Sequence, residues 1–204
     1  MKVIFLHGLG QDAHSWKKVQ ETLANVSTES LALFPRGNES YQEIRQATLQ
    51  HLLVQNQPFI LVGLSLGGLL ALDLADQALP HLKGLILSGT QYNLADNFLY
   101  RLQIFVFKLM PKSVFSKQGA DKSQMIRILT ELRKINLTDK IKKIKLPILL
   151  VCGSKDKPNL KAAYELSKLL KDSQLHIIEK GGHTLNSQAP EAFAQIIEKF
   201  LHEF

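Results

Sequence analysis

The 204-residue chain has a single cysteine, Cys152, so no intrachain disulfide can form and a reducing compartment is expected. No stretch approaches the roughly 20 apolar residues that a membrane span requires. The N-terminal run Val3-Ile4-Phe5-Leu6 is too short for a signal peptide and leads straight into His7-Gly8, so the expected location is the cytoplasm. There is no Cys/His metal spacing, no glycine-rich phosphate loop, no DNA- or RNA-binding motif, no internal repeat and no low-complexity tract. Neither a metal, an organic cofactor nor a nucleic-acid partner is therefore expected.

What is present is ordinary in bulk: 45% hydrophobic and 21% charged residues, in a length that suits one domain with one sizeable core. Cys152 sits inside an apolar run and reads as a small core residue. The net charge of +7 is unevenly spread. Residues 101 to 145 hold twelve Lys or Arg against three Asp or Glu, and the remainder is slightly acidic. This is either a solvated helical face or a field that attracts an anionic substrate or acidic surface.

Short apolar runs alternate with longer helical patterns. Strands are expected at 3–6, 30–34, 59–62, 84–87, 147–151 and 175–178. Helices are expected at 12–24, 41–55, 67–79, 160–170 and 190–204. Between 91 and 145 no strand is convincing, and two or three helices punctuated by Pro111 and Gly119 are expected. Strand–helix alternation implies right-handed crossovers and a parallel sheet covered on both faces. The segment from about 91 to 145 reads as a helical cap inserted over the sheet's functional end of a single α/β domain spanning 1–204.

The sharpest feature is Gly63-Leu64-Ser65-Leu66-Gly67-Gly68, between a strand and a helix. A serine on such a tight turn has an exposed hydroxyl, and the following helix N-terminus offers N–H groups to an oxyanion. A hydroxyl is a poor nucleophile until a base takes its proton. His183, in Gly181-Gly182-His183-Thr184 just after the last strand, is the best-placed base. His176 falls within a strand, while His51, His81 and His202 sit on helices or at their ends. His14, near the start of the first helix, is a candidate lining residue only. Asp156, in Gly153-Ser154-Lys155-Asp156 after the fifth strand, is the acid expected to orient the imidazole, with Asp96 as substitute. The backbone N–H of Leu66 and that of Leu9, in His7-Gly8-Leu9-Gly10, are the expected oxyanion donors.

His-Gly-Leu-Gly, Gly-Leu-Ser-Leu-Gly-Gly, the Gly-Ser-Lys-Asp loop and Gly-Gly-His together resemble the α/β-hydrolase superfamily over nearly the whole chain except the cap. Within it the chain is similar to small bacterial esterases, thioesterases and the lyase of menaquinone synthesis. The resemblance implies the α/β-hydrolase fold, a Ser-His-Asp triad and a cap that shapes substrate choice. Two departures stand out. The chain starts at what resembles the family's third strand, which predicts a six-stranded, wholly parallel sheet. Many relatives carry Asp-x-Pro-Gly-x-Gly-x-Ser after the next strand, where this chain has Leu33-Phe34-Pro35-Arg36-Gly37-Asn38-Glu39-Ser40. Arg36 there is either a ligand for a substrate carboxylate or a solvated loop residue.

Residues 97–110 are too apolar for one narrow stripe, so part of that surface is expected against the sheet edge, a partner or an apolar ligand. With Lys108, Lys112, Lys117 and Lys122 nearby, an acyl chain on an anionic carrier such as a coenzyme A thioester would suit it. The expected activity is hydrolysis of a small-molecule ester or thioester, anionic in that case. A lyase using the same triad, a ligand-binding module and a membrane-surface protein are the alternatives. The oligomeric state stays open at this level.

Overall fold

The computed structural model describes residues 1–116 and 121–204. Six strands form one sheet: β1 (Lys2–Leu6), β2 (Ser27–Leu31), β3 (Phe59–Leu64), β4 (Leu82–Ser88), β5 (Ile148–Gly153) and β6 (Ser173–Ile178). Their spatial order is β2-β1-β3-β4-β5-β6, and every pairing is parallel. This is the six-stranded parallel sheet expected from the sequence.

The period of two along each strand sorts the core into two layers. Ile4, Leu6, Leu61, Leu85, Leu87 and Leu150 belong to one layer. Val3, Phe5, Ile60, Val62, Ile86 and Val151 belong to the other. The first layer is closed by α2 (Tyr41–Leu53), α3 (Leu66–Leu74) and α8 (Lys157–Leu169), with Ile44, Leu70 and Leu166 buried against it. The second is closed by α1 (Lys17–Thr22), α9 (Leu185–Gln188) and α10 (Pro190–Leu201), through Val19, Leu185, Phe193 and Ile197. Cys152 is buried within β5, and burial pushes its thiol up to about 12, so it is an inert core residue.

Two expectations are corrected. The second strand runs over Ser27–Leu31, not 30–34. It is an edge strand, so one side of it needs no apolar cover; Glu29 there pairs with Lys2 at 2.6 Å and with His51 at 3.0 Å. The apolar residues Leu33 and Phe34 leave the sheet instead and pack on the first core layer. Between β4 and β5 the described residues form four helices rather than two or three: α4 (Phe98–Leu109), α5 (Lys112–Ser116), α6 (Lys122–Leu132) and α7 (Thr138–Ile141). Pro111 separates the first two as anticipated, whereas Gly119 and Lys117 lie outside the described residues.

Asp73 on α3 ties this layer together. Its buried carboxylate accepts from Tyr41 Oη at 3.0 Å, Arg45 Nε at 2.9 Å and Lys140 Nζ at 2.6 Å, joining α2, α3 and α7. Asp73→Ala leaves Arg45 without its carboxylate and Lys140 with only the longer contact to Asp76 at 3.8 Å. The expected loss is about 3 kcal/mol in urea unfolding, at the low end for a broken buried pair because Lys140 reaches solvent. A loss under about 1 kcal/mol would mean that the cluster is solvated rather than structural.

Candidate active site

β3 runs into α3 through a single residue, Ser65, with φ 54° and ψ −108°. That left-handed conformation is strained for any residue with a Cβ, and it turns the chain abruptly into the helix. The crossing is close. A Cβ on Gly67 would strike the Leu6 carbonyl oxygen of the neighbouring strand β1, so only glycine fits there. The Ser65 N–H donates to the Ser88 carbonyl at 2.8 Å, fixing the turn against the end of β4. Leu66 opens α3, so its N–H has no carbonyl ahead of it within the helix.

Ser88 leads into Gly89, at φ 53°. A Cβ on Gly89 would lie 2.9 Å from His183 Nδ1 and 3.3 Å from Asp156 Oδ2. His183 and Asp156 therefore stand directly against the residue after the one that holds Ser65. Four loops meet here because all six strands are parallel, so their C-terminal ends share one edge.

His183 Nδ1 and Asp156 Oδ2 are 2.7 Å apart. Asp156 is almost fully buried and His183 half-exposed. The carboxylate places the imidazole proton on Nδ1 and leaves Nε2 as the basic nitrogen. The two supporting loops are tied by backbone bonds: Ser154 N–H to Ile178 O at 3.0 Å and Lys155 N–H to Gly181 O at 2.9 Å. Asp96 does not replace Asp156. It accepts from Asn93 Nδ2 at 2.9 Å on an exposed loop before α4.

Asn159 also belongs to this cluster and was not singled out from the sequence. Its Nδ2 donates to Asp156 Oδ1 at 2.8 Å and Oδ2 at 3.0 Å, while its Oδ1 accepts from Gln91 Nε2 at 2.9 Å. Nδ2 is also 3.2 Å from His183 Nδ1. Both groups are donors, so both converge on the shared carboxylate. The available signal was the spacing Asp156–Asn159, which stacks the two side chains over the first turn of α8.

The loop after β1 is braced from both sides. His7 is buried; its Nδ1 donates to Gly8 O at 2.9 Å and its Nε2 accepts the Leu33 N–H at 3.1 Å. Gly8 N–H reaches Gln11 Oε1 at 3.2 Å, and Gln11 Nε2 reaches Asn186 Oδ1 on α9 at 3.2 Å. Burial holds the His7 imidazole below its ordinary pKa of 6.5, against the opposing pull of the Gly8 carbonyl and Asp12. The folded protein thus refuses a proton that the unfolded chain accepts. Its share of stability is complete above the unfolded value of 6.5 and is lost as pH falls through the folded one. Denaturant midpoints are expected to decline below about pH 6.5, and the decline should be shallower in His7→Asn.

A cleft of about 340 Å³ opens beside this loop, lined among others by Leu9, Gln11, Asp12, Phe34, Asp121, Gln124 and Met125. One wall is thus the loop after β1 and the other the start of α6; the cleft adjoins the candidate catalytic cluster through Leu9, and Ser65, Asp156 and His183 do not line it. His14, on the short 3₁₀ turn Ala13–Trp16, is exposed and is not among the cleft's lining residues; Gln11, Asp12 and Ser15 take those positions. Arg36 borders a different groove, between β2 and α2, where Glu39 at 3.3 Å and Glu43 at 3.2 Å take its guanidinium. Among the described residues, the expected basic rim is not at the cleft either. Lys108 and Lys112 are exposed on α4 and α5, and Lys122 Nζ donates to the Lys108 and Met110 carbonyls at 2.7 Å. Among the described residues, no group of three or more His, Cys, Asp or Glu is disposed to hold a metal ion.

Residues 3–196 match the model of the alpha/beta hydrolase family. The 2-succinyl-6-hydroxy-2,4-cyclohexadiene-1-carboxylate synthase of Salmonella typhimurium is 24% identical over 242 residues, covering 96% of this chain and 93% of that protein. The fold is similar to that of MenH from S. aureus, with a TM-score of 0.80 and 20% identity over 100% of this chain and 94% of the other. It is equally similar to a thermophilic esterase from Thermogutta terrifontis, with a TM-score of 0.79 and 21% identity over 100% and 90%.

Proposed function

We propose, for a chain that belongs to the alpha/beta hydrolase family, that it is a serine hydrolase of small carboxylic esters or thioesters working through an acyl-enzyme. His183 Nε2 takes the Ser65 proton as Ser65 Oγ attacks the carbonyl, and Asp156 holds the imidazole and stabilises the imidazolium. The N–H groups of Leu9 and Leu66 receive the oxyanion. His183 then protonates the leaving group, and later deprotonates the water that releases the acid. Asn159, oriented by Gln91, is a positioning residue that keeps the Asp156 carboxylate aimed. Helices α4 to α7 act as the cap, with the start of α6 bordering the cleft.

One observation carries this reading: the Asp156–His183 pair, 2.7 Å apart, stands against Gly89 beside the strained Ser65 turn. Strain of this kind persists only where the surrounding structure imposes it, and it gathers at functional positions.

The end-to-end likeness to the Salmonella synthase favours a second reading, a lyase in which Ser65 or His183 abstracts a proton from a carboxylate-bearing substrate without a covalent intermediate. The cleft's charge argues the other way. Its lining includes the carboxylates Asp12 and Asp121 and, among the described residues, no Lys or Arg. A substrate with several carboxylates would meet repulsion there rather than pairing.

A panel of p-nitrophenyl esters and acyl thioesters, some neutral and some carrying a carboxylate on the acyl chain, separates the two readings. Neutral substrates are expected to win in kcat/KM by tenfold or more, a factor of about 1.4 kcal/mol. Preference for the carboxylate-bearing members, or no ester turnover at all, would favour the synthase-like reading.

A further inference from the structure

We propose that the outer face of α4 docks on an anionic lipid surface. Phe98, Leu102, Phe105, Val106 and Leu109 recur at helical spacing and form one continuous stripe. All five are exposed, Phe98 by 74% and Leu109 by 70%. The opposite side of the same helix carries its packing. Ile104 is buried, Phe107 packs edge-on against Phe115 with ring centres 5.6 Å apart, and Tyr100 Oη donates to the Leu129 carbonyl on α6 at 3.1 Å. The exposed stripe is therefore surplus to folding.

The charges around it identify its occupant. Arg101 and Lys108 lie along one edge of the stripe, about one and about three turns on from its start, and Lys112 follows the helix end. Among the described residues none of the three makes an ion pair. The segment from 101 to 145 holds twelve basic and three acidic residues, against a slight acidic excess elsewhere. An apolar face with a basic border is the layout of a helix lying in the headgroup region of an acidic bilayer. A second copy of this chain would bring the same cations against one another across a twofold axis, which disfavours self-association through this face. In that pose α4 lies between the lipid surface and α6, the helix whose start forms one wall of the cleft.

The test is co-sedimentation of the full chain with vesicles of phosphatidylcholine alone, and with vesicles containing about one-third phosphatidylglycerol. Binding is expected to the acidic vesicles, to weaken as salt rises from about 0.1 to about 0.5 M, and to be slight on neutral ones. Arg101→Glu with Lys108→Glu should weaken it by about tenfold or more. Phe98→Ser with Phe105→Ser should do the same through lost apolar contact. Each altered side chain is exposed, and the one protein bond given up is that of Arg101 to the Ala95 carbonyl, so circular dichroism and turnover of a water-soluble ester should stay as in the parent. Equal binding to neutral and acidic vesicles, no binding to either, or indifference to both double variants would overturn the proposal. So would sedimentation velocity showing a dimer that Phe98→Ser with Phe105→Ser dissolves.

Discussion

Ser65→Ala is expected to lower ester turnover by about 10⁶-fold, to the level left by cleft binding and the oxyanion donors alone. The fold should survive, because the side chain lost is small and half-exposed while the turn is held by its backbone bond to Ser88. Ser65→Gly should be equally inactive yet more stable than the parent, by about 1 kcal/mol, since glycine adopts φ 54° without the Cβ penalty. Together the variants give a two-coordinate result: activity lost in both, stability raised only in the glycine form. Steady-state kinetics on a p-nitrophenyl ester and urea unfolding read the two coordinates. Activity within tenfold of the parent in Ser65→Ala would remove Ser65 from the chemistry.

The second large effect concerns the tautomer of His183. Asp156→Asn keeps the size and burial of the side chain but puts an amide where the carboxylate accepts from both His183 Nδ1 and Asn159 Nδ2. An amide offers one oxygen for two donors, and its own NH₂ adds further donors. The imidazole is then driven to carry its proton on Nε2, where it cannot act as base. A fall in kcat of about 10⁴ is expected, with KM nearly unchanged because neither group lines the cleft. Asn159→Ala should act in the same direction and less strongly, with a shifted pH profile of kcat/KM rather than a lost one, because the carboxylate stays in place. A change in KM alone for either variant would place these residues in substrate binding instead.

The parts of the fold that could be read from the chain are those where one physical requirement dominates. Phe59–Val62 and Leu149–Cys152 lie in strands buried on both faces, so they are continuous apolar runs and are unmistakable as such. The glycines around Ser65 mark a backbone crossing that admits no side chain. Where two requirements compete, the reading fails. Ser27–Leu31 is polar because it is an edge, and its true position was masked by the more apolar Leu31–Phe34 beside it. The four residues of α9 are too few to show a period. Asn159 and Gln91 are polar residues in a helix's first turn and in a loop, where such residues are common, and only the chain of bonds from Gln91 through Asn159 to Asp156 distinguishes them. The apolar excess of 97–110 was visible, but which face stays uncovered depends on the packing of Ile104, Phe107 and Tyr100.

Reaction of the intact protein with a fluorophosphonate, followed by mass spectrometry of the digested product, is the shortest route to the core of this account. One phosphonyl group per chain is expected, on the peptide that contains Ser65, formed rapidly in the parent and at least about 10³-fold more slowly in His183→Ala. A parent enzyme that turns over esters while this serine stays unlabelled, or a label that forms as fast without the imidazole, would contradict it.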